Sequence, residues 1–159
     1  MYSIHLAKEL FKFSVSHFTI FSAEHAERLH GHNYQVRVSI AVGKIDPKLG
    51  LAFDFNLVKP MIRQLCDSMD ERILVPEKSP YLKIQKENGQ IRVQFADKRY
   101  EFPLSDTICL PLVNVTTEEL ARYVGESLKA EMLSLPGWTE IEVNIEETRG
   151  QSVSCRLGR

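Results

Sequence analysis

The chain has 159 residues, a hydrophobic fraction of 43%, a charged fraction of 26% and a formal net charge of -1. This length predicts one domain over residues 1–159, since domains commonly have about 100 to 200 residues. A nearly neutral chain has no global attraction to nucleic acid, and charges interrupt every apolar run before the roughly 20 residues that a membrane span needs, so neither partner is expected.

The cysteines indicate a reducing environment. Cys66, Cys109 and Cys155 are odd in number, widely spaced and free of any Cys-x-x-Cys pair. A disulfide framework or a thiolate metal site is therefore not predicted. Lys8 and Glu9 interrupt the first ten residues and no long apolar run follows, so no signal peptide is predicted and the cytoplasm is the expected location.

Two strands are predicted in the first quarter of the chain. Apolar residues alternate with polar ones from Phe11 to His17 and again from His30 to Ile40. This two-residue period is typical of strands with one buried face. In both strands the histidines lie on the apolar face.

A turn and a helix are predicted next. Residues 46–50 have the sequence Asp-Pro-Lys-Leu-Gly, whose proline and glycine favour a chain reversal. Apolar residues at helical spacing then predict a helix at about 56 to 69. Asp54 or Asn56 is the expected N-cap, and Pro60 is compatible with a first turn.

Residues 80–112 are predicted to be an insert that consists of a hairpin and a loop. Asn88-Gly89 favours a tight turn between two alternating segments, so the hairpin is placed over residues 81–102, at the periphery. Its basic residues are candidates for a phosphate contact, although a solvated hairpin face is the favoured interpretation. They are Lys83, Lys86, Arg92, Lys98 and Arg99, and Arg149 is a further candidate outside the hairpin.

The second half of the chain predicts a helix and two strands. Thr116 is the expected N-cap of a helix at about 117 to 133, with Glu119 completing a capping box. A strand through Ile141, Val143 and Ile145 follows, and Glu147 shares its apolar face; a last strand contains Val153, Cys155 and Leu157. The order β, β, α, hairpin, α, β, β predicts an α+β fold.

The three histidines of the first two strands have the spacing of a metal site. His30 and His32 point the same way from one strand, about 6.5 to 7 Å apart at Cα, and His17 needs only the adjacent strand. Three neutral imidazoles leave one tetrahedral position of zinc open, as in catalytic sites. The alternatives are three ordinary core or rim histidines, and a structural zinc site, for which no fourth ligand is evident.

At this point the sequence resembles a known family. The motif Arg28-Leu29-His30-Gly31-His32-Asn33-Tyr34, with Phe13 and His17 upstream, is similar to that of the 6-pyruvoyltetrahydropterin synthase and 6-carboxytetrahydropterin synthase family. Other family motifs follow in order across nearly the whole chain: Asp46-Pro47 with Gly50, Asp54-Phe55, Asp70, Thr116-Thr117-Glu118 and Glu147-Thr148.

The resemblance implies both a fold and a chemistry. The fold would be the tunnelling fold, a four-stranded antiparallel sheet with two helices on one face, which forms barrels as trimers that stack into hexamers, with active sites between subunits. The substrate would be 7,8-dihydroneopterin triphosphate, and the reaction a lyase step of tetrahydropterin or queuosine-type biosynthesis. Zinc would bind to His17, His30 and His32, and the pterin to Glu147, Thr116 and Thr117. A carboxylate suits a pterin because it accepts two parallel hydrogen bonds.

The chain departs from the family at two catalytic positions. Ala26 stands where the family has a cysteine, and Glu71 follows Asp70 where the family has a histidine. The candidate groups for proton transfer are therefore Asp70, Glu71, His25 and Glu27, since carboxylates and imidazoles serve as general acids and bases. The alternative interpretation is that Glu71, His25 and Glu27 are ordinary solvated surface or loop residues.

Several functions remain open from the sequence. The first is a zinc-dependent lyase that acts on the pterin side chain, and the second is retro-aldol cleavage of that side chain, as in dihydroneopterin aldolase. A third is a protein that binds zinc and pterin without turnover, because two of the three usual catalytic groups, the cysteine and the histidine, are missing. Analysis of the products distinguishes these hypotheses.

Overall fold

The computed structural model describes residues 1–159 and contains ten strands and two α-helices. In chain order they are β1 (Tyr2–Leu6), β2 (Lys12–His17), β3 (His30–Val42), α1 (Val58–Met69), β4 (Arg72–Pro76), β5 (Lys83–Glu87), β6 (Gln90–Phe95), β7 (Lys98–Pro103), β8 (Thr107–Leu110), α2 (Thr117–Met132), β9 (Trp138–Thr148) and β10 (Gln151–Gly158). Neither helix is long and apolar enough to cross a membrane.

The main sheet is wider than the predicted one. The four expected antiparallel strands are present as the run β10-β9-β3-β2, with β1 paired to the distal half of β3. The run continues through β4, which pairs in parallel with β2, and β8, which pairs in parallel with β4. These two short strands lack the two-residue alternation of a half-buried strand, so the sequence pattern did not show them. The α+β prediction is confirmed, and the sheet of a single chain is open.

Both helices pack on the same face of this sheet and close the core. α1 buries Val58, Ile62, Cys66 and Met69, and α2 buries an apolar stripe that includes Leu120, Val124 and Leu128. These side chains meet the inward residues of β2, β3 and β9 in one cluster. The three cysteines are free thiols.

The two helices differ in whether a side chain caps their N-terminus. The N-cap of α1 is Leu57 and has no side-chain hydrogen bond, so the expected cap at Asp54 or Asn56 is wrong; Asp54 Oδ1 instead accepts a bond from Asn56 N at 2.8 Å in a turn before the helix. Thr116 does cap α2, accepting from Glu119 N at 3.2 Å. The Glu119 carboxylate pairs with Arg122 and leaves the capping box half formed.

Residues 83–103 form a separate three-stranded sheet, β5-β6-β7. The predicted Asn-Gly turn joins β5 to β6, with positive φ at Asn88 and Gly89. β7 extends the predicted hairpin by one strand, and its turn was missed because Ala96 adopts φ 50° where no glycine marks it. The apolar face of this sheet packs on Phe18 and Ile20, which follow β2 directly, so the sheet supports the segment between β2 and β3.

The packing of this small sheet can be tested with Phe95, which is buried and lies 6.4 Å from Phe18 between ring centroids. Phe95→Ala is expected to lower the free energy of unfolding by about 3 to 5 kcal/mol, because it removes a buried ring and leaves a cavity. Urea unfolding measures this change. Phe21→Ala is the matched control, since the Phe21 ring is 59% exposed. Equal stability of the two variants would contradict the packing.

Candidate active site

Three imidazole rings converge at the end of the β2–β3 pair. His17 pairs directly with His30 across the two strands, and Val15 pairs with His32, so the alternation of both strands turns all three rings to the helix-covered face. Their ligand nitrogens lie within 4.8 Å of one another. Nε2 of His30 is 2.9 Å from Nε2 of His32. The predicted trio is therefore a cluster in space.

Backbone carbonyl groups orient two of these rings. Nδ1 of His17 donates to the Val115 carbonyl at 3.2 Å, and Nδ1 of His30 donates to the Arg28 carbonyl at 2.7 Å. A hydrogen bond that holds the proton on Nδ1 leaves the lone pair of Nε2 free for a metal, as is typical of metal-ligating histidines. Burial, together with charge on His30 and His32, lowers the pKa of His17 to about 4, so His17 is neutral at neutral pH.

The donor set fits a zinc ion. Zinc–nitrogen bonds of about 2.0 to 2.1 Å in a tetrahedron place the ligand nitrogens roughly 3.3 Å apart, close to the spacing of the His30 and His32 nitrogens. Neutral imidazoles are common zinc ligands, and three of them leave one position for water or substrate. The residues present can therefore hold a metal of this kind.

Glu147 lies beside the histidines on the same face. Its Oε1 accepts from the Tyr34 hydroxyl at 2.9 Å and is 3.6 Å from Nε2 of His32, and its Oε2 accepts from Nε2 of Gln151 at 3.1 Å. The Tyr34 oxygen is also 3.2 Å from Nε2 of His17. Burial and the adjacent carboxylate raise the pKa of Tyr34, so its hydroxyl keeps the proton that it donates.

A cavity of about 460 Å³ opens next to His32 and Glu147. Its volume lies within the range of small-molecule sites. Thr116 and Thr117, at the start of α2, line it, as does Glu27. His32 and the three predicted pterin residues therefore border one space, with His17 and His30 clustered behind His32, whereas the basic side chains of the three-stranded sheet do not line it.

Glu27 is the candidate proton-transfer group that lies at this cavity. Its Oε2 is 3.8 Å from Nε2 of His30 and accepts from Thr19 N at 3.1 Å. Burial acts to raise the pKa of Glu27, but the Thr19 hydrogen bonds and the charge of His30 outweigh it and lower the pKa, so the carboxylate is ionised. His25 instead stacks on Phe21 in an exposed turn and does not line the cavity.

Within one chain, neither Asp70 nor Glu71 makes a hydrogen bond or an ion pair with the three histidines. Asp70 Oδ1 accepts from Ser14 N at 2.7 Å, and Glu71 N donates to the Ser14 carbonyl at 2.7 Å. The Ser14 side chain points to the sheet face opposite His17, and Glu71 lines a second groove together with Ser14, Asn33 and His32. Glu71 also adopts φ 56°, an uncommon conformation for a residue with a side chain.

The sequence reasoning missed three residues that shape the site. Tyr34 follows the same alternation as His30 and His32, and this spacing could have predicted its place beside them. Gln151 reaches Glu147 across the β9–β10 turn, where Gly150 has φ 86°, so its position depends on the pairing of those strands. The contact of Thr19 with Glu27 depends on the loop conformation, for which the sequence has no periodic signal.

Comparison with known proteins agrees with this geometry. The family model of 6-pyruvoyl tetrahydropterin synthase matches residues 5–157. A protein of Methanocaldococcus jannaschii, provisionally named 6-carboxy-5,6,7,8-tetrahydropterin synthase, is 28% identical over 148 residues, which cover 91% of this chain and 89% of the relative. A similarly named protein of Pyrococcus abyssi is 32% identical over 74% of this chain and 69% of the relative.

The fold has near counterparts among solved structures. The crystal structure of 6-pyruvoyl tetrahydropterin synthase from Plasmodium vivax superposes with a TM-score of 0.91 at 28% identity, over 99% of this chain and 98% of that one. Two further structures of the Plasmodium vivax protein carry alanine or cysteine in place of a catalytic glutamate.

The metal site leads to a direct test. Wild-type protein is expected to retain one zinc ion per chain after dialysis, and His17→Ala, His30→Ala and His32→Ala are each expected to lose most of it, because two imidazoles hold zinc far less tightly than three. Metal analysis by mass spectrometry measures the content. His25→Ala is the matched control and should retain zinc. Full zinc content in His32→Ala would contradict the assignment.

Proposed function

Because the chain belongs to the 6-pyruvoyl tetrahydropterin synthase family, we propose that it is a zinc-dependent pterin lyase that acts on the side chain of 7,8-dihydroneopterin triphosphate. The observation that carries this proposal is that His32, one of the three clustered histidines, lines one cavity together with the ionised Glu27 and the Glu147 carboxylate. The relatives named as tetrahydropterin synthases support the reaction class.

Glu147 would hold the pterin ring. Its two oxygens accept parallel hydrogen bonds from a ring N–H and the adjacent amino group, a geometry that fixes both the position and the plane of the ring. The Tyr34 hydroxyl keeps Oε1 oriented, and the Gln151 amide moves away from Oε2 when the ring binds. Thr116 and Thr117 offer hydroxyl groups along the same wall.

Glu27 would be the base. Zinc bound to His17, His30 and His32 would polarise the side-chain oxygens of the substrate and make their protons, and those of the adjacent carbons, easier to remove. Glu27 is ionised and lies within 3.8 Å of His30, so it can accept such a proton. The catalytic glutamate of the Plasmodium vivax protein supports a carboxylate in this role, in a chain that has Ala26 at the cysteine position.

Assembly would complete the site. We propose that the chain forms trimers or hexamers, in which the open sheet joins its neighbours in a barrel and Asp70 and Glu71 approach the histidines of an adjacent subunit. This arrangement is supported by the fact that neither carboxylate makes a hydrogen bond or ion pair with the histidines of its own chain; Asp70 accepts from Ser14 N instead. The free thiols are compatible with a cytoplasmic location.

A second candidate is retro-aldol cleavage, which the carboxylate at the site favours. Glu27 would take the proton of the 2′-hydroxyl, the C1′–C2′ bond would break, and its electron pair would remain on the carbon attached to the ring. Protonation of that carbon gives a 6-hydroxymethyl pterin, and the rest of the side chain leaves as an aldehyde. A protein that binds the pterin without turnover is the third outcome to be distinguished.

The reaction is tested by incubating the zinc-loaded protein with 7,8-dihydroneopterin triphosphate and identifying the products by mass spectrometry. Release of triphosphate indicates elimination, and a 6-hydroxymethyl product indicates retro-aldol cleavage. Glu27→Ala is expected to lower kcat by about 10² to 10⁴-fold, the usual contribution of a general base. Glu24→Ala is the matched control in the same loop. Unchanged substrate with wild-type protein would contradict catalysis.

The ring anchor is tested by binding. Glu147→Gln is expected to weaken pterin binding by roughly 10 to 100-fold, because two charge-assisted hydrogen bonds lose their ionic acceptor. Fluorescence titration with 7,8-dihydroneopterin measures the affinity. Glu146→Gln is the matched control, since its carboxylate pairs with Arg37 on the opposite face. Equal affinity of both variants would show that the ring binds elsewhere.

A further inference from the structure

The linking loop, residues 18–29, joins β2 to β3 and carries Glu27. It folds back on itself through a bridge between Ile20 and Ala26, and Glu27 N donates to the Thr19 carbonyl at 2.9 Å. Thr19 N in turn donates to Glu27 Oε2. The position of the carboxylate therefore depends on the backbone of Thr19 and Ile20.

Asn114 holds that backbone from outside the loop. Its Oδ1 accepts from Ile20 N at 3.1 Å, and its Nδ2 donates to the Ile20 carbonyl at 2.8 Å. The same Oδ1 accepts from Val115 N at 3.0 Å, which ties the side chain to the start of α2. A side-chain amide is both donor and acceptor, so it satisfies both backbone groups of Ile20 as a neighbouring strand would.

Thr19 Oγ1 also donates to the Val115 carbonyl at 3.3 Å, which anchors Thr19 itself, whereas the apolar support of the linking loop is less directional. Phe18 and Ile20 pack on the three-stranded sheet, and Phe18 stacks on Tyr100 with ring centroids 5.3 Å apart. Apolar packing depends mainly on buried area and tolerates small rotations of the backbone. Hydrogen bonds lose strength steeply with such rotations. Asn114 is therefore the contact that fixes the direction of the Ile20 peptide groups.

We propose that Asn114 is a positioning residue that holds Glu27 beside His30 by bonding both backbone groups of Ile20. Asn114 does not line the cavity, so it acts on the reaction only through the linking loop. The effect on turnover rests on the function proposed above, in which Glu27 is the base. The effect on the loop conformation does not.

Amide hydrogen exchange in the zinc-loaded protein tests the conformational part. Asn114→Ala is expected to speed exchange about tenfold at the Ile20 and Glu27 amides, because the Ile20 donor loses its acceptor and the loop bridge opens with it. Asn144→Ala is the matched control, since its amide bonds to Ser152 and Ser154 on the far face of the sheet. Unchanged protection of the Glu27 amide would overturn the proposal.

A second variant covers the case in which the alanine variant does not fold. Asn114→Asp keeps the acceptor for Ile20 N and loses the donor to the Ile20 carbonyl. It is expected to give intermediate exchange at the same two amides. Wild-type protection of the Glu27 amide in this folded variant would equally overturn the proposal.

Kinetics test the catalytic part. Asn114→Ala is expected to lower kcat by about 100-fold, the effect of a misplacement of about 1 Å, with KM and zinc content near those of the wild type. In a Glu27→Ala background, Asn114→Ala should lower kcat no further, since both act through one group. Additive losses, or loss of zinc, would overturn the proposal. A wild-type chain without turnover would contradict the proposed function instead, and the exchange result would then decide the role of Asn114.

Discussion

The pairing of His17 with His30 across β2 and β3 is the constraint on which the site depends. Successive side chains of a strand point to opposite faces, so a slip of one residue would turn one strand's histidines away from the other's. The register is held by the long β3, which pairs with β2 and β1 on one side and with β9 on the other. The inward side chains of these strands are buried, so another register would be costly, and the positions of the three histidines depend on this register.

Segments far apart in the chain supply the rest of the site. The Val115 carbonyl, just before α2, orients His17, and the end of β9 contributes Glu147. In the resulting environment, one group of the site is neutral and another is charged, and each state suits the role proposed for that group. His17 is buried and neutral, which suits a metal ligand, whereas Glu27 is partly exposed, hydrogen-bonded and ionised, which suits a base. The proposed chemistry follows from this division.

The sequence predicted the parts of the fold that have a period. Alternation located β2, β3, β9 and β10, and the Thr116 cap located α2 to within one residue of each end. β4 and β8 escaped detection because they are short and lack a two-residue alternation. Among the site residues, the histidines follow from alternation on two paired strands, whereas the contact of Glu27 with Thr19 depends on an aperiodic loop. Asp70 and Glu71 came from resemblance alone, and within one chain neither makes a hydrogen bond or an ion pair with the histidines.

The Tyr34 hydroxyl contacts both halves of the site, since its oxygen lies near His17 Nε2 and donates to Glu147. One group therefore connects the proposed metal ligands to the proposed ring anchor. If a bound ion changes the position or hydrogen bonding of this hydroxyl, it changes the free energy with which Glu147 binds a ligand. By thermodynamic reciprocity, the ligand then changes the affinity for the ion by the same factor. Metal and pterin would then be linked ligands, and the availability of either would set the apparent affinity of the protein for the other.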